Sequence, residues 1–344
     1  MKLATYNDGS RDGQLVVVSR DLRQAHYATG IASRLQQVLD DWSFLAPQLQ
    51  DLAHQLQQGR APHAFAFDPS LCMAPLPRPC QWIAASAYAP QLELAAQAQG
   101  LPATSVPRRE VPLRQGSGDT VGGACDEVVV SSQALAPDFE AMVAVITGDV
   151  PQGCSAEQAL HGVRLVVLAN DWCLRQLVAG ERERGCVGVQ SRPAVGLSPV
   201  AVTLDELGEA WKGGRVHLPV HCSWNGRRVG QNEAGEGMHW GFGEILAQLC
   251  QTRSLRAGTI VGSGGVLNAA STVGRGKDKR LEWTRGYSCI ADKRAMEQVE
   301  AGEPSTDYLR FGDSVRIEAK NQDGLSVFGA IDQTLVSPLG EGAA

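Results

Sequence analysis

Residues 137–150 and 164–172 read as two strands, and both are apolar along almost their whole length. Side chains two apart on a strand share a face. Glu140, Met142, Ala144 and Ile146 therefore point one way. The second run, Arg164-Leu165-Val166-Val167-Leu168-Ala169-Asn170-Asp171-Trp172, reads as a buried strand that ends in an acid. Two acids on neighbouring strands form a donor set that can chelate a hard divalent cation. Few features of the chain limit its fold as strongly, because such strands need cover on their faces and their acids need partners.

A chain of 344 residues buries a sizeable core and has room for one large domain with a smaller companion. Apolar residues make up 43% and charged residues 20%, the balance of an ordinary globular protein. A formal charge of −6 argues against nucleic acid as the main partner. No apolar run is long enough for a membrane span. The first nine residues lack the apolar core of a signal peptide. Nine scattered cysteines, an odd number with no Cys-x-x-Cys pair, read as reduced thiols rather than a disulfide frame or zinc site. Together these features lead to an expectation of a cytoplasmic protein with no membrane or nucleic-acid partner.

Residues 1–74 read as a small N-terminal unit. It has a strand at 15–19 and an amphipathic helix marked by Leu35, Val38, Leu39, Trp42 and Leu45, interrupted near Pro47 and stopped at Gly59. The proline-dense residues 75–79 read as a linker. Residues 80–337 read as the main domain, followed by a tail at 338–344. Asn225-Gly226 and Asp323-Gly324, each between strand-like runs, signal hairpins. Residues 242–249 and 291–299 read as helices. Residues 103–136 read as a long loop that covers the site. The fold class expected is α+β.

Six stretches in order carry a resemblance. They are Phe139-Glu140 through Asp149-Val150; Asn170 to Arg175; Gln190-Ser191-Arg192-Pro193; Leu197-Ser198-Pro199; Arg256 to Gly264; and Gly286 to Asp292. In these stretches the chain resembles the fumarylacetoacetate hydrolase family over most of its length. The resemblance implies a mixed β-roll core behind a small N-terminal domain, a homodimer, and Mg²⁺ or Ca²⁺ holding a β-dicarbonyl acid. Glu140 and Asp171 match two metal carboxylates, while Ala84 and Met142 stand where two others belong. A thioether suits a hard cation poorly, so the resemblance implies weak metal binding or none. Gln91 stands where the catalytic histidine belongs and cannot titrate. Asp292 matches that histidine's acidic partner, and Glu93 or Asp292 is the substitute base expected. Arg175, Arg192 and Thr259 match substrate-facing positions, with Arg192 where lysine is usual. Arg114 stands in for a substrate-facing tyrosine, and Tyr88 is a further substrate-binding candidate. The pocket is expected to be rich in positive charge and to favour a small acidic dicarbonyl ligand.

Simpler roles compete with each of these. Glu140 could belong to a structural ion pair, Asp171 could cap the following helix, and Arg175 could be exposed. Arg192 could pair with Glu181 or Glu183, and Met142 could be core. His217, His221 and His239 fit no zinc spacing. Three functions follow. The first is altered chemistry on a β-dicarbonyl or enolisable acid: C–C cleavage, decarboxylation, isomerisation or condensation. The second is an ordinary divalent-metal hydrolase of aromatic catabolism, and the third an inactive binder that keeps the fold.

Overall fold

The computed structural model describes residues 1–102, 106, 108–119, 121–274 and 280–338. Among these residues the architecture is α+β, built on a 13-stranded sheet and a five-stranded sheet. At the centre of the large sheet, Ala141–Thr147 pairs antiparallel with Val163–Asp171. Its other neighbour is Thr259–Gly262, which pairs in parallel with Gln81–Ala85, and that strand in turn pairs with Leu113–Gly116. On the far side, Ala201–Thr203 joins Val163–Asp171 to the N-terminal strand Lys2–Tyr6. The first unit of the chain thus continues the same sheet.

The two faces of the central strands serve two cores. Ala141, Val143, Val145, Val166 and Leu168 pack toward the five-stranded sheet, with Val220, Ile317, Phe328 and Ile331. Met142, Ala144, Ile146, Leu165, Val167 and Ala169 pack with Trp82, Ala84 and the N-terminal Leu15, Val38 and Leu49. Burial on both faces is why these strands have no alternating polar residues.

Both hairpins form. Asn225 and Gly226 take positive φ, as a two-residue turn between twisted strands requires. Ser314–Lys320 turns back through Asp323-Gly324 into Ser326–Val336. The helices Phe242–Leu249 and Ile290–Ala301 lie where periodicity puts them.

Three expectations need correction. The N-terminal helix breaks at Asp41, between Leu35–Asp40 and Trp42–Gln57, and Pro47 lies inside the second helix. Pro47 is past the first turn, so its missing N–H removes the bond that the Ser43 carbonyl would otherwise accept. Residues 103–136 are not one loop: Leu113–Gly116, Val121–Gly122 and Val128–Val129 are strands in the two sheets, while residues 103–105, 107 and 120 lie outside the described ones. The expected strand over 137–150 is interrupted, with Pro137–Asp138 and Ala141–Thr147 separated at Phe139-Glu140. There the Asn170 side chain replaces a ladder partner, its Oδ1 accepting from the Glu140 N–H at 3.0 Å.

Met142 shares Glu140's face but lies fully buried, beside Trp82 and Gly262. A Cβ on Gly262 would come within 2.6 Å of the Met142 sulfur. Met142→Glu should therefore place a charge in a packed apolar core, costing roughly 3 kcal/mol or more. The expected reading is a fall in melting temperature of about 5–10 °C for a chain of this size. A melting temperature equal to the parent's would show that the side chain reaches solvent.

Candidate active site

The pairings Ala141 with Asn170 and Asp138 with Cys173 place Glu140 opposite Asp171. The Asp171 N–H donates to the Glu140 carbonyl at 3.0 Å. Two carboxylates thus meet at the end of a buried sheet face, where like charges repel and burial strengthens the repulsion. Glu140 is 8% exposed and Asp171 1%.

Three arginines answer them. Arg192 Nη1 lies 2.6 Å from Glu140 Oε2 and 3.1 Å from Asp171 Oδ2, and donates to the Asp171 carbonyl at 2.9 Å. Arg114 pairs with Asp171. It stands directly across from Ala84 on neighbouring strands, so the small residue leaves room for the long one. Arg175 opens the helix Arg175–Glu183; its Nε donates to Asp138 at 2.8 Å, and its Nη2 lies 3.5 Å from Glu140. Asp138 is fully buried and also accepts from the Ile290 and Ala291 N–H groups, at 2.7 and 3.0 Å.

The cluster of three acids and three arginines is neutral as a set, Asp138 balancing Arg175 from outside the cavity. Burial pulls the Glu140 carboxyl up in pKa, but Arg192 and Arg175 outweigh it and hold the group down at about 2. Arg175 and Arg192 are correspondingly raised, their neighbouring acids outweighing burial.

These groups line a cavity of about 530 Å³. Ala84, Ser86, Leu113 and Gln115 form one wall, and Gly185, Cys186, Val187 and Val189 form another. Arg182 stands exposed in its lining and has no ion-pair partner among the described residues. Arg114 Nη1 and Arg175 Nη2 are buried N–H groups without a hydrogen-bond partner. Unsatisfied buried donors are costly; both atoms are covered by protein, and a turn of each side chain would bring them to an anionic ligand in this cavity.

Supports for the site reach far along the chain. Glu181, buried beneath the 185–191 loop, accepts from Gly188, Gln190 and Ser191 N–H groups and from the Ser191 hydroxyl. Those donors outweigh burial and hold its pKa at about 2. The loop is thereby drawn over Arg114, so closely that a Cβ on Gly188, which has φ +88°, would meet Arg114 at 2.6 Å. Gln333 accepts from both Asn170 Nδ2 at 3.1 Å and Trp172 Nε1 at 2.9 Å. It fixes the amide that receives Glu140's N–H. Gly265 donates to Glu140 Oε1 at 3.2 Å. Asp138, Glu181, Gly265 and Gln333 escaped sequence reasoning; only Asp138, an acid two residues from Glu140 in an apolar run, left a signal.

Behind Gly265, Gln91 Nε2 reaches both oxygens of Asp292, at 3.3 and 3.2 Å. These two come together as expected, but neither lines the cavity. Burial pushes the Asp292 carboxyl up to about 7, with Glu140 adding to the rise and Gln91 and Arg175 opposing it.

Other candidates lie elsewhere. Glu93 pairs with Arg108, away from the cavity. Tyr88 is fully buried, its hydroxyl donating to the Ala234 carbonyl at 2.6 Å. Thr259 sits at the far end of its strand from Gly262, roughly 10 Å along. Its hydroxyl donates to the Arg256 carbonyl at 2.8 Å. Asp171 does not cap the following helix, whose N-cap is Leu174. Arg192 pairs with neither Glu181 nor Glu183. All nine cysteines are free, five of them buried.

The donor set does not fit a divalent cation. Only Glu140 and Asp171 point into the cavity as acids, Arg192 already spans both, and among the described residues no group of three Asp, Glu, His or Cys side chains gathers around a common point. A divalent ion would also add two positive charges to a cluster that is already neutral.

Asp292 makes folding stability depend on pH. With a folded pKa of about 7 against an ordinary carboxylate value, the unfolded chain releases this proton as pH rises past 4 while the folded chain keeps it. Its contribution therefore falls between about pH 4 and pH 7 and is constant above. Asp292→Asn keeps a neutral partner for Gln91 and should remove that loss. The melting-temperature advantage of Asp292→Asn over the parent should widen from pH 4.5 to 7.5 and then level. A constant difference across that range would contradict the assignment.

Residues 1–78 match the family described as "Fumarylacetoacetase N-terminal domain 2", and residues 82–336 match "Fumarylacetoacetate (FAA) hydrolase C-terminal". Among solved structures, the fold is similar to that of a probable 2-hydroxyhepta-2,4-diene-1,7-dioate isomerase from Mycobacterium abscessus. The identity is 18%, the TM-score 0.65, and 98% of this chain and 99% of that one are covered. It is also similar to maleylpyruvate hydrolase from Sphingobium sp. SYK-6, solved with manganese(II) and pyruvate, at 15% identity, TM-score 0.62, and 98% and 99% coverage. A fumarylacetoacetate hydrolase from Exiguobacterium antarcticum matches at 16% identity and TM-score 0.64, with the same coverage. No curated protein sequence matches the chain.

Proposed function

This chain belongs to the fumarylacetoacetate hydrolase family, and we propose that it is an enzyme acting on a small enolisable acid, by decarboxylation rather than by hydrolysis. One observation carries the reading. Four arginines line one cavity against two acids, and two of their buried N–H groups lack a hydrogen-bond partner. A carboxylate and an adjacent carbonyl oxygen are the ligand atoms that such donors hold best.

Donors already fixed by their own ion pairs need little rearrangement to stabilise an enolate oxygen. In decarboxylation, the bond from the α-carbon to the departing carboxylate breaks. Its electron pair moves toward the carbonyl, whose oxygen becomes an enolate against Arg175 and Arg114. Carbon dioxide leaves, and the carbon takes a proton from water entering at the cavity mouth.

Hydrolysis needs a base to activate water. Glu140, held at about 2, is a weak base. Gln91 does not titrate, and Asp292, which titrates near 7, does not line the cavity. That inventory favours enolate chemistry without water activation. It also weighs against the ordinary metal hydrolase of aromatic catabolism. Structures of this fold include an isomerase of a dienedioate and a hydrolase of maleylpyruvate, both of which act on small organic acids. A homodimer and a cytoplasmic location remain part of the proposal. No helix among the described residues is long and apolar enough to cross a membrane.

The test is a panel of β-keto diacids and acylpyruvates, followed by enol absorbance and carbon dioxide release. Turnover is expected for at least one β-keto diacid. Arg175→Met should lower kcat/KM by about 100- to 1,000-fold, the scale of losing one oxyanion donor. Ligand binding without turnover would instead support the inactive binder. Full activity in Arg175→Met would remove the arginine cluster from the mechanism.

A further inference from the structure

We propose that Arg192 is the resident cation of the Glu140–Asp171 pair, and that removing it converts this pair into a divalent-cation site. The inference goes beyond the reaction proposed above, since it concerns which cation holds the two acids and not what the cavity does to a substrate.

The geometry is specific. A single nitrogen, Arg192 Nη1, lies within 3.1 Å of one oxygen from each carboxylate and also reaches the Asp171 carbonyl. Three oxygens from two strands thus converge on one positive atom, as they would on a metal ion. Glu140 Oε2 is buried and accepts no hydrogen bond of good geometry, although Arg192 stands 2.6 Å away. Charge alone holds that contact, so the oxygen's lone pairs are not committed to a directed donor. The other carboxylate oxygen of Glu140 is fixed by the Gly265 N–H, which leaves Oε2 facing Arg192 and Arg175.

Arginine suits the position better than lysine would. Its charge is spread over a plane and is cheaper to desolvate, and it keeps that charge at every accessible pH. Arg114 and Arg175 each have an acid of their own in Asp171 and Asp138. Without Arg192, the neutral cluster takes net charge −1, and two facing carboxylates and a backbone carbonyl lose their shared cation, while Arg114 still pairs with Asp171 and Arg175 Nη2 stays 3.5 Å from Glu140. Carbonyl and carboxylate oxygens are the ligands that Mg²⁺, Ca²⁺ and Mn²⁺ take, with water or substrate completing the shell.

Mn²⁺ is the probe, because its free ion gives an electron-paramagnetic-resonance signal that disappears on binding. The parent, Arg192→Gly and Arg192→Gln would be titrated with MnCl₂, with melting temperature as a second reading. The parent should leave the free-ion signal intact and its melting temperature unchanged at millimolar Mn²⁺. Arg192→Gly should bind one Mn²⁺ per chain at least about 30-fold more tightly and melt at a higher temperature when loaded. Adding Glu140→Gln to Arg192→Gly should abolish the gain. If Arg192→Gly does not fold, Arg192→Gln, which is also neutral but fills more of the space, carries the same expectation.

Stoichiometric Mn²⁺ binding by the parent would overturn the inference, as would a folded Arg192 variant with no gain in affinity. A gain that survives Glu140→Gln would do so too, by placing the ion elsewhere. Absence of turnover on every substrate, with the Mn²⁺ gain intact, would remove the proposed reaction and leave the cation assignment standing.

Discussion

Glu140 and Asp171 face each other across one pair of strands at the end of a buried sheet face, and that juxtaposition of like charges governs the structure around it. Two carboxylates cannot both stay ionised in such a place without nearby cations. Each surrounding feature reads as an answer to that constraint. Arg192 spans the pair, Arg114 takes up Asp171, and Arg175 leans on Glu140 while Asp138 balances it. The short helix that begins at Arg175 and the longer one that begins at Ile290 are both tied to the cluster through Asp138.

A buried ion cluster of this kind is weak evidence for stability. Desolvating six charged groups costs about as much as their attraction returns, and only good geometry keeps the sum near balance. The scaffold supplies that geometry from residues distant in sequence. Gln333 comes from the five-stranded sheet to hold Asn170 and Trp172. Glu181 pins the loop that closes over Arg114. Glycine at 265 lets Gln91 and Glu140 approach from opposite sides, since a Cβ there would stand 2.4 Å from the Gln91 amide nitrogen. Such investment in positioning, with two arginine N–H groups left without a hydrogen bond, is consistent with the anionic ligand proposed above.

The proton inventory separates this cavity from one built to activate water. Of its two lining acids, Glu140 is held strongly ionised and Asp171 is paired with Arg114 and Arg192; Gln91 and the Asp292 carboxyl, which is poised near neutrality, both lie outside the lining. In the reaction proposed above, stabilising the developing enolate falls to the arginines, which need no titrating partner for it.

Much of the fold was legible in the sequence, and the site only in part. Apolar runs marked the central strands, Asn225-Gly226 and Asp323-Gly324 marked the hairpins, and ordered motifs from Phe139 to Asp292 identified the family. Local chemistry dictates those features. Glu140, Asp171, Arg114, Arg175 and Arg192 were recognisable because each sits in, or stands in for, a motif position. Which residues share a cavity was not legible. Thr259 and Tyr88 belong to the same segments as site residues but point into hydrogen bonds elsewhere, and Glu93 lies on the helix that carries Gln91 yet pairs with Arg108. Asp138 and Gln333 carry no motif, and their roles arise only when strands and helices more than 150 residues apart are brought together. Sequence determined the elements and the charges. Tertiary structure decided which charges meet, because ion pairing depends on separations of a few ångströms that only packing sets.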